Sequence, residues 1–233
     1  VLDGMIQNGF QPVHANQSTC RIPGKQAFTK HVLRFRHSDF LTDTDIKDAL
    51  NKGREVPEIV LTNSHDGTSA YQIDLGFFRF ACSNKMIVSS QSFETIRVRH
   101  SGREDIVGEV IEGSYKIIDE APKAAAQIEA WKLLSLTRPE QEAFASSALE
   151  MRDSALSVDV GEILVPRRWD DKGGDLYSTL NVVQENLVRG GARGRTATNR
   201  RSSLRAIKSV DGDTKLNRAL WNLAEKMAEL KAA

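Results

Sequence analysis

Several features that commonly reveal a protein's class are scarce in this sequence. Only two cysteines, Cys20 and Cys82, occur among 233 residues, and they form no CxxC pair, which favours a reduced cytoplasmic compartment. No apolar run approaches the roughly 20 residues of a membrane span, so we expect no membrane partner. The net charge is +1, so any attraction to nucleic acid must come from local clusters of charge.

Motifs for nucleotide binding and catalysis are also scarce. Gly190, Gly191 and Gly194 follow a predicted helix rather than a strand, and no GK[ST] sequence accompanies them. They therefore do not match a Walker or Rossmann loop. Cys82 follows an apolar strand with no identifiable base, which favours a buried small hydrophobe over a nucleophile. We predict no catalytic residue and no cofactor.

Three histidines end predicted strands and leave one alternative open. If those strand ends converge, the imidazoles and a neighbouring aspartate would form a metal or acid–base cluster. None has the i, i+4 spacing of a helical metal site, which favours polar side chains that bond to turns. The residues concerned are His37, His65 and His100, with Asp39 or Asp66.

The stretch from 59 to 88 is the most informative about the fold. Apolar residues alternate with others from Tyr71 to Phe80, which is the period of a β-strand, and turn-forming residues separate this strand from Ile59–Leu61 and Met86–Val88. The pattern predicts an antiparallel meander. From Glu104 the period becomes helical, so we predict an α+β protein whose sheet is packed by a long helix and followed by a mostly helical half. The predicted domains are 1–135 and 136–233.

Arginine alternates with apolar residues in two other predicted strands. Arg34 and Arg36 share one face of the strand from His31 to His37, and Arg97 and Arg99 share a face of the next such strand, in Phe93–His100. An exposed strand face is the simpler explanation for each pair, and a binding groove is the alternative.

A longer basic segment, residues 189–208, separates the last two predicted helices. No acidic residue occurs from Asn186 to Val210. Mobile guanidinium groups on a glycine-rich, hydroxyl-rich segment suit binding to a phosphate backbone, and a solvated loop is the equally simple alternative. Elsewhere in the chain, the aromatics that lie near basic residues and can stack on bases are Phe35, Phe78, Phe80 and Trp169, of which Phe78 and Phe80 more often belong to a core. The cations of this segment are Arg189, Arg193, Arg195, Arg200, Arg201, Arg205 and Lys208.

Several blocks of sequence resemble a known family. They are NSHDGTSAYQIDLGFFRFACSN, IRVRHSG, DIVGEVIEGSYKII, QIEAWK, QENLVRGG and LNRALWNLAEKMAEL, in this order along most of the chain. The chain resembles a phage- and plasmid-associated bacterial family of unknown function that is carried on mobile elements. That resemblance implies a cytoplasmic protein encoded among genes for DNA handling and defence evasion, and it carries over no catalytic residue.

The order of sheet, long helix and basic helical tail is also similar to the plan of Rad52- and Redβ-like annealing proteins. We therefore expect a protein that binds single-stranded DNA, promotes annealing or recombination and forms a homo-oligomeric ring or filament. In this hypothesis Arg34, Arg36, Arg97 and Arg99 line a groove, and the segment 189–208 holds the phosphate backbone. The alternatives are an anti-defence protein that binds a host protein, and a metal-dependent hydrolase or nuclease built on the histidines.

Overall fold

The chain forms an α+β protein, as the sequence predicts. The computed structural model describes residues 1–18, 28–38, 55–64, 70–79, 85–88, 93, 95–99, 105–152 and 154–232. Two compact units follow one another along the chain, Val1–Ala124 and Ala125–Ala233. In the described part of the chain, no helix is both long enough and apolar enough to cross a membrane.

The first unit is built on an antiparallel sheet. Its strands pair in the order β1-β2-β3-β4-β5, and β6 also pairs with β4. The predicted meander is therefore present, although residues 65–69 and 82–84, which make up most of the two predicted turns that flank β4, lie outside the described residues. The third strand begins at Glu55 and contains Pro57, which the sequence pattern places before the strand. The strands are β1 (Phe10–Gln17), β2 (His31–His37), β3 (Glu55–Asn63), β4 (Tyr71–Arg79), β5 (Lys85–Val88) and β6 (Ile96–Val98).

Two helices cover the apolar face of this sheet. The short helix α1 (Leu2–Gln7) inserts Met5, and the long helix α2 (Ile106–Asp119) inserts Val110 and Ile117; all three side chains are buried. Gly113 brings α2 close to the sheet, because a Cβ there would lie 2.8 Å from Ile73 Cδ1. This helix is the predicted long helix, and the apolar core of the unit lies between it and the strands.

The second unit is mainly helical, and its main helices pack through apolar side chains. The ring centroids of Trp131 and Trp221 are 4.6 Å apart. Phe144, Leu180 and Leu220 are buried in the same unit. Its elements are α3 (Ala121–Leu133, which begins in the first unit), α4 (Arg138–Met151), β7 (Ser157–Val158), α5 (Val160–Ile163), a 3₁₀ turn (Trp169–Asp171), α6 (Leu176–Arg189), β8 (Arg193–Arg195), β9 (Arg201–Ser203) and α7 (Val210–Ala232).

Helix α6 is buried on its polar side as well as on its apolar side. Asn186 donates from Nδ2 to the carbonyl oxygens of Ile163 and Val165, at 2.9 and 3.0 Å, and Gln184 donates to Asn217. Buried amides are stable only when such partners satisfy them. The predicted amphipathic helix is thus a central element that connects several parts of its unit and leads directly into the basic segment.

Candidate nucleic-acid interface

The basic segment forms a β-hairpin rather than an irregular loop. Strands β8 and β9 pair antiparallel, and β7 adds a third strand beside β8. Further backbone bonds extend the hairpin towards its root, from Leu204 N to Ala192 O and from Ile207 N to Val188 O, both at 2.8 Å. The sequences RGR and RSS form the strands, and TATNR forms the connection between them. The position of the cations is therefore set by a hydrogen-bonded framework.

Three arginines share one face of this hairpin. Arg195 is paired with Arg201, and Arg193 is paired with Ser203. Because cross-strand partners and alternate residues lie on the same side of a sheet, Arg193, Arg195 and Arg201 form one set, which we call the arginine face. All three are exposed. Among the residues that the structure describes, none of the three makes a salt bridge.

The opposite side of the hairpin carries Gly194 and its cross-strand partner Ser202, which is exposed. Gly194 lies there, and a Cβ at this position would meet the Ser157 carbonyl oxygen and lie 2.9 Å from Leu156 Cγ. Glycine therefore permits the close approach of β7 to β8. The arginine face is therefore the side of the hairpin that carries its charged side chains.

Local bonds shape both ends of the hairpin. At the tip, Asn199 has φ +59, a conformation that asparagine tolerates, and its Oδ1 accepts a bond from Arg195 Nη1 at 3.0 Å. At the root, Gly190 has φ +71, and its carbonyl oxygen accepts a bond from the Arg167 guanidinium. Arg167 also donates from Nε to Asn186 Oδ1 at 2.6 Å, which joins the root to α6.

A cleft of about 840 Å³ lies beside the hairpin and contains carboxylates as well as arginines. Asp159 Oδ1 accepts from Gly161 N at 2.7 Å, and Glu162 Oε2 accepts from Arg193 N at 3.1 Å. Both carboxylates thus bind backbone N–H groups. Neither carboxylate forms an ion pair with an arginine of this face in the described part of the chain, although both add negative charge to the cleft.

The other cations of the segment differ in their surroundings. Arg189 forms an ion pair with Glu185 at 3.0 Å, and Glu185 also binds Arg168 at 2.9 Å. Arg200, Arg205 and Lys208 are exposed, and none of them makes a salt bridge with another described residue. The Arg205 carbonyl oxygen accepts a bond from Arg152, whose pKa is lowered by burial. Arg189 therefore contributes to the framework, whereas Arg200, Arg205 and Lys208 are exposed cations in the same segment.

Arg34 and Arg36 are engaged in the first unit. Both pair with the buried carboxylate of Glu58, at 2.9 and 2.7 Å, and both guanidinium groups lie over the Phe78 ring, at 4.7 and 5.7 Å from its centroid. Arg34 is only 6% exposed, and burial lowers its pKa despite the attraction of Glu58. Phe35 is fully buried in the core. The pattern predicts a basic face here, whereas the structure adds a buried acid to it.

Arg97 and Arg99 lie on the same side of the sheet and are exposed. Arg97 is paired with Gln72, and Gln72 lies on the same face of β4 as Asp74. Asp74 is paired with Val60, and Val60 is paired with Arg34, so Arg34 lies on this face too. The four sheet arginines thus occupy one face, opposite α2. Asp74 and Glu58 lie among them, so this face is more nearly neutral than the hairpin, and its role as a groove stays a prediction.

Comparison with known proteins identifies the family of the chain. The model described as "Domain of unknown function (DUF932)" matches residues 1–221. The chain belongs to the DUF932 family. It is 43% identical to the UPF0380 protein YafZ and 42% identical to the UPF0380 protein YfjQ, both of Escherichia coli (strain K12). Each match spans 229 residues, 97% of this chain and 79% of the relative. No solved structure matches the chain.

The histidine cluster considered for this DUF932 chain is only partly within the described residues. His37 Nε2 lies 3.0 Å from the Asn8 carbonyl oxygen and 3.2 Å from Tyr115 Oη, so it connects β2 to the C-terminal end of α1 and to α2. No group of three or more metal-binding side chains occurs in the part of the chain that the structure describes. Outside that part lie His65, His100, Asp39, Asp66, Cys20, Cys82 and Phe80.

Sequence reasoning missed the residues that hold the interface in place. The hairpin strands have only three residues each, and Arg167, Arg168 and Glu185 show no distinctive spacing in the DUF932 chain. One weak signal was the pair of short arginine-containing runs, RGR and RSS, on either side of a polar TATN. That signal predicts a hairpin, but it does not identify the buried partner of each arginine.

Proposed function

We propose that this DUF932 protein binds single-stranded DNA of a mobile element in the bacterial cytoplasm, through the arginine face of its hairpin. The observation that supports this most directly is the set Arg193, Arg195 and Arg201, exposed on one side of a structured hairpin without salt bridges to described residues. Phosphate groups are the ligand that such a set fits best, because each guanidinium offers several donors and releases counterions on binding.

The electrostatics of the hairpin strengthen this argument. Arg195 and Arg201 are directly paired across the strands, and like charges in that position destabilise a sheet. Other arginines in the same unit avoid this penalty: Arg168 and Arg189 both pair with Glu185. An anionic ligand would supply the missing counter-charge. Arg168 and Arg189, which form ion pairs with Glu185, thus stabilise the fold, and we assign the arginine face to ligand binding.

Annealing and assembly are further parts of the proposal. The plan of an antiparallel sheet, a packed helix and a basic helical tail is similar to that of Rad52- and Redβ-like proteins. We expect the protein to form homo-oligomers and to accelerate pairing of complementary strands. Sedimentation with and without DNA tests the first expectation, and annealing of labelled complementary strands tests the second; a monomer that leaves annealing unchanged would contradict both.

Substitution of the arginine face tests the binding proposal. In Arg193→Gln/Arg195→Gln/Arg201→Gln we expect the affinity for a labelled single strand to fall by about 100-fold near 0.1 M salt, since about three phosphate contacts are lost. The control Lys116→Gln/Arg138→Gln/Lys226→Gln removes the same charge from exposed helix positions and should change affinity by less than about threefold. If the unaltered protein binds no strand at low salt, the proposal is wrong, and a pull-down for a host protein partner follows.

A further inference from the structure

Trp169 is unusually exposed for a tryptophan. The side chain belongs to the 3₁₀ turn and is 80% exposed, whereas Trp131 and Trp221 are 2% and 0% exposed. Tryptophan is usually highly buried, because leaving so large an apolar surface in water is unfavourable. The exposed ring is therefore accessible for stacking with a ligand.

The segment that carries this tryptophan is firmly held. Arg168, directly before it, donates from Nε and Nη2 to the two oxygens of Glu185, at 3.0 and 2.9 Å. Arg167 donates to Asn186 and to the Gly190 carbonyl oxygen. Both anchoring acceptors on α6 are buried. The indole is consequently presented to solvent from a fixed backbone, which lowers the entropic cost of binding a ligand.

One face of the indole already carries a cation. Lys172 Nζ lies 3.9 Å from the ring centroid. A cation over a tryptophan is held by the ring quadrupole and contributes to fixing its orientation. Because the residue is still largely exposed, the opposite face of the ring remains available for stacking.

The segment that carries the indole contacts the root of the hairpin through Arg167. A Cβ on Gly191 would lie 3.3 Å from Arg167 Nη2. Trp169 is two residues after Arg167 in the chain, and Arg193 is two residues after Gly191. Two residues extend at most about 7 Å, so the backbones of Trp169 and Arg193 lie within about 25 Å of each other once the length of the Arg167 side chain is added. Single-strand binding sites span roughly 4 to 16 nucleotides, which is enough to reach both.

We infer that Trp169 stacks on a base of the strand whose phosphates bind the arginine face. This inference rests on the proposed function and defines its substrate class. A duplex keeps its bases stacked on one another, whereas a single strand offers them to an aromatic ring. Trp169 therefore selects single strands, and stacking makes it tolerant of base sequence.

Tryptophan fluorescence tests this assignment. Oligothymidylate should quench the emission of the exposed indole, whereas an abasic strand of equal length should leave it nearly unchanged. Trp169→Ala should weaken binding of oligothymidylate about tenfold and leave binding of the abasic strand unaltered, while Trp169→Phe should retain most of the affinity. Leu133→Ala, at another highly exposed apolar position, is the control and should leave binding of both strands unchanged.

The outcomes separate this inference from the proposed function. Binding of oligothymidylate without quenching, with equal affinity in Trp169→Ala, would overturn stacking while the arginine face remained supported. Failure of the unaltered protein to bind either strand would overturn both. Equal losses on the oligothymidylate and the abasic strand in Trp169→Ala would show a structural effect and would also overturn the stacking assignment.

Discussion

At the scale of single residues, arginine has two roles in this protein. Glu58 and Glu185 each have side chains only 2% exposed, and each binds two arginines. A buried carboxylate needs such partners because desolvation of an unpaired charge is strongly unfavourable. Arginines that bind these two buried carboxylates stabilise the fold. The arginines of the arginine face form no ion pair with Glu58 or Glu185.

Glu185→Gln should lower the free energy of unfolding by about 2 kcal/mol, because it removes the charge that balances Arg168 and Arg189. Both arginines are partly exposed, so they regain some hydration and the loss stays at the lower end for buried pairs. Urea denaturation measures it. Glu142→Gln, which breaks an exposed pair with Arg138, is the control and should lose less than about 0.5 kcal/mol. Equal losses would contradict the structural role of Glu185.

At the scale of secondary-structure elements, strands were predictable where alternation extends over many residues. The pattern from Tyr71 onward predicts β4, and His31–His37 predicts β2, because each strand has a clearly apolar side. The hairpin at 193–203 has little apolar alternation, and hydrogen bonds with β7 and the root support it instead. Burial of the polar side of α6 depends on partners such as Ile163 and Asn217, which are distant in sequence. The sequence thus indicated the basic segment but not its framework.

Gly190→Ala tests whether the root of the hairpin is tightly packed. A Cβ there would meet the Leu204 carbonyl oxygen and lie 2.7 Å from Ala206 N, and φ is +71. We expect a loss of about 2 kcal/mol or more in the free energy of unfolding, measured by urea denaturation. Gly174→Ala, whose nearest contact would be 3.6 Å, should change it by less than about 0.5 kcal/mol. A neutral Gly190→Ala would show that the root can relax.

The carboxylate of Glu140, at the start of α4, should make the stability of the protein depend on pH. Lys231 of α7, together with the Thr137 backbone and hydroxyl, lowers the pKa of Glu140 to about 2. Because this pKa lies below its unfolded value of 4.5, the stabilisation is complete above pH 4.5 and is lost as pH falls towards 2. Glu140→Gln should therefore lower Tm at pH 6 and differ progressively less from the unaltered protein below pH 4.5. A constant difference from pH 6 to pH 2.5 would contradict this linkage.

At the scale of the whole molecule, a net charge of +1 conceals an uneven distribution of charge. Acidic side chains are buried among arginines in both units, as at Glu58 and Glu185, while the hairpin presents cations to solvent. The overall composition therefore gave no reason to expect binding to nucleic acid, whereas the local run of arginines gave one. Which arginines are exposed followed from tertiary pairing, which a single sequence does not reveal.

The salt dependence of single-strand binding tests the central claim most directly. If Arg193, Arg195 and Arg201 contact phosphates, log K should fall linearly with log salt, and the triple glutamine variant should have a slope smaller by about 2, since each contact contributes about 0.7. The charge-matched helix variant should keep the slope of the unaltered protein. An identical slope in all three proteins, or no binding at low salt, would contradict a phosphate-binding arginine face.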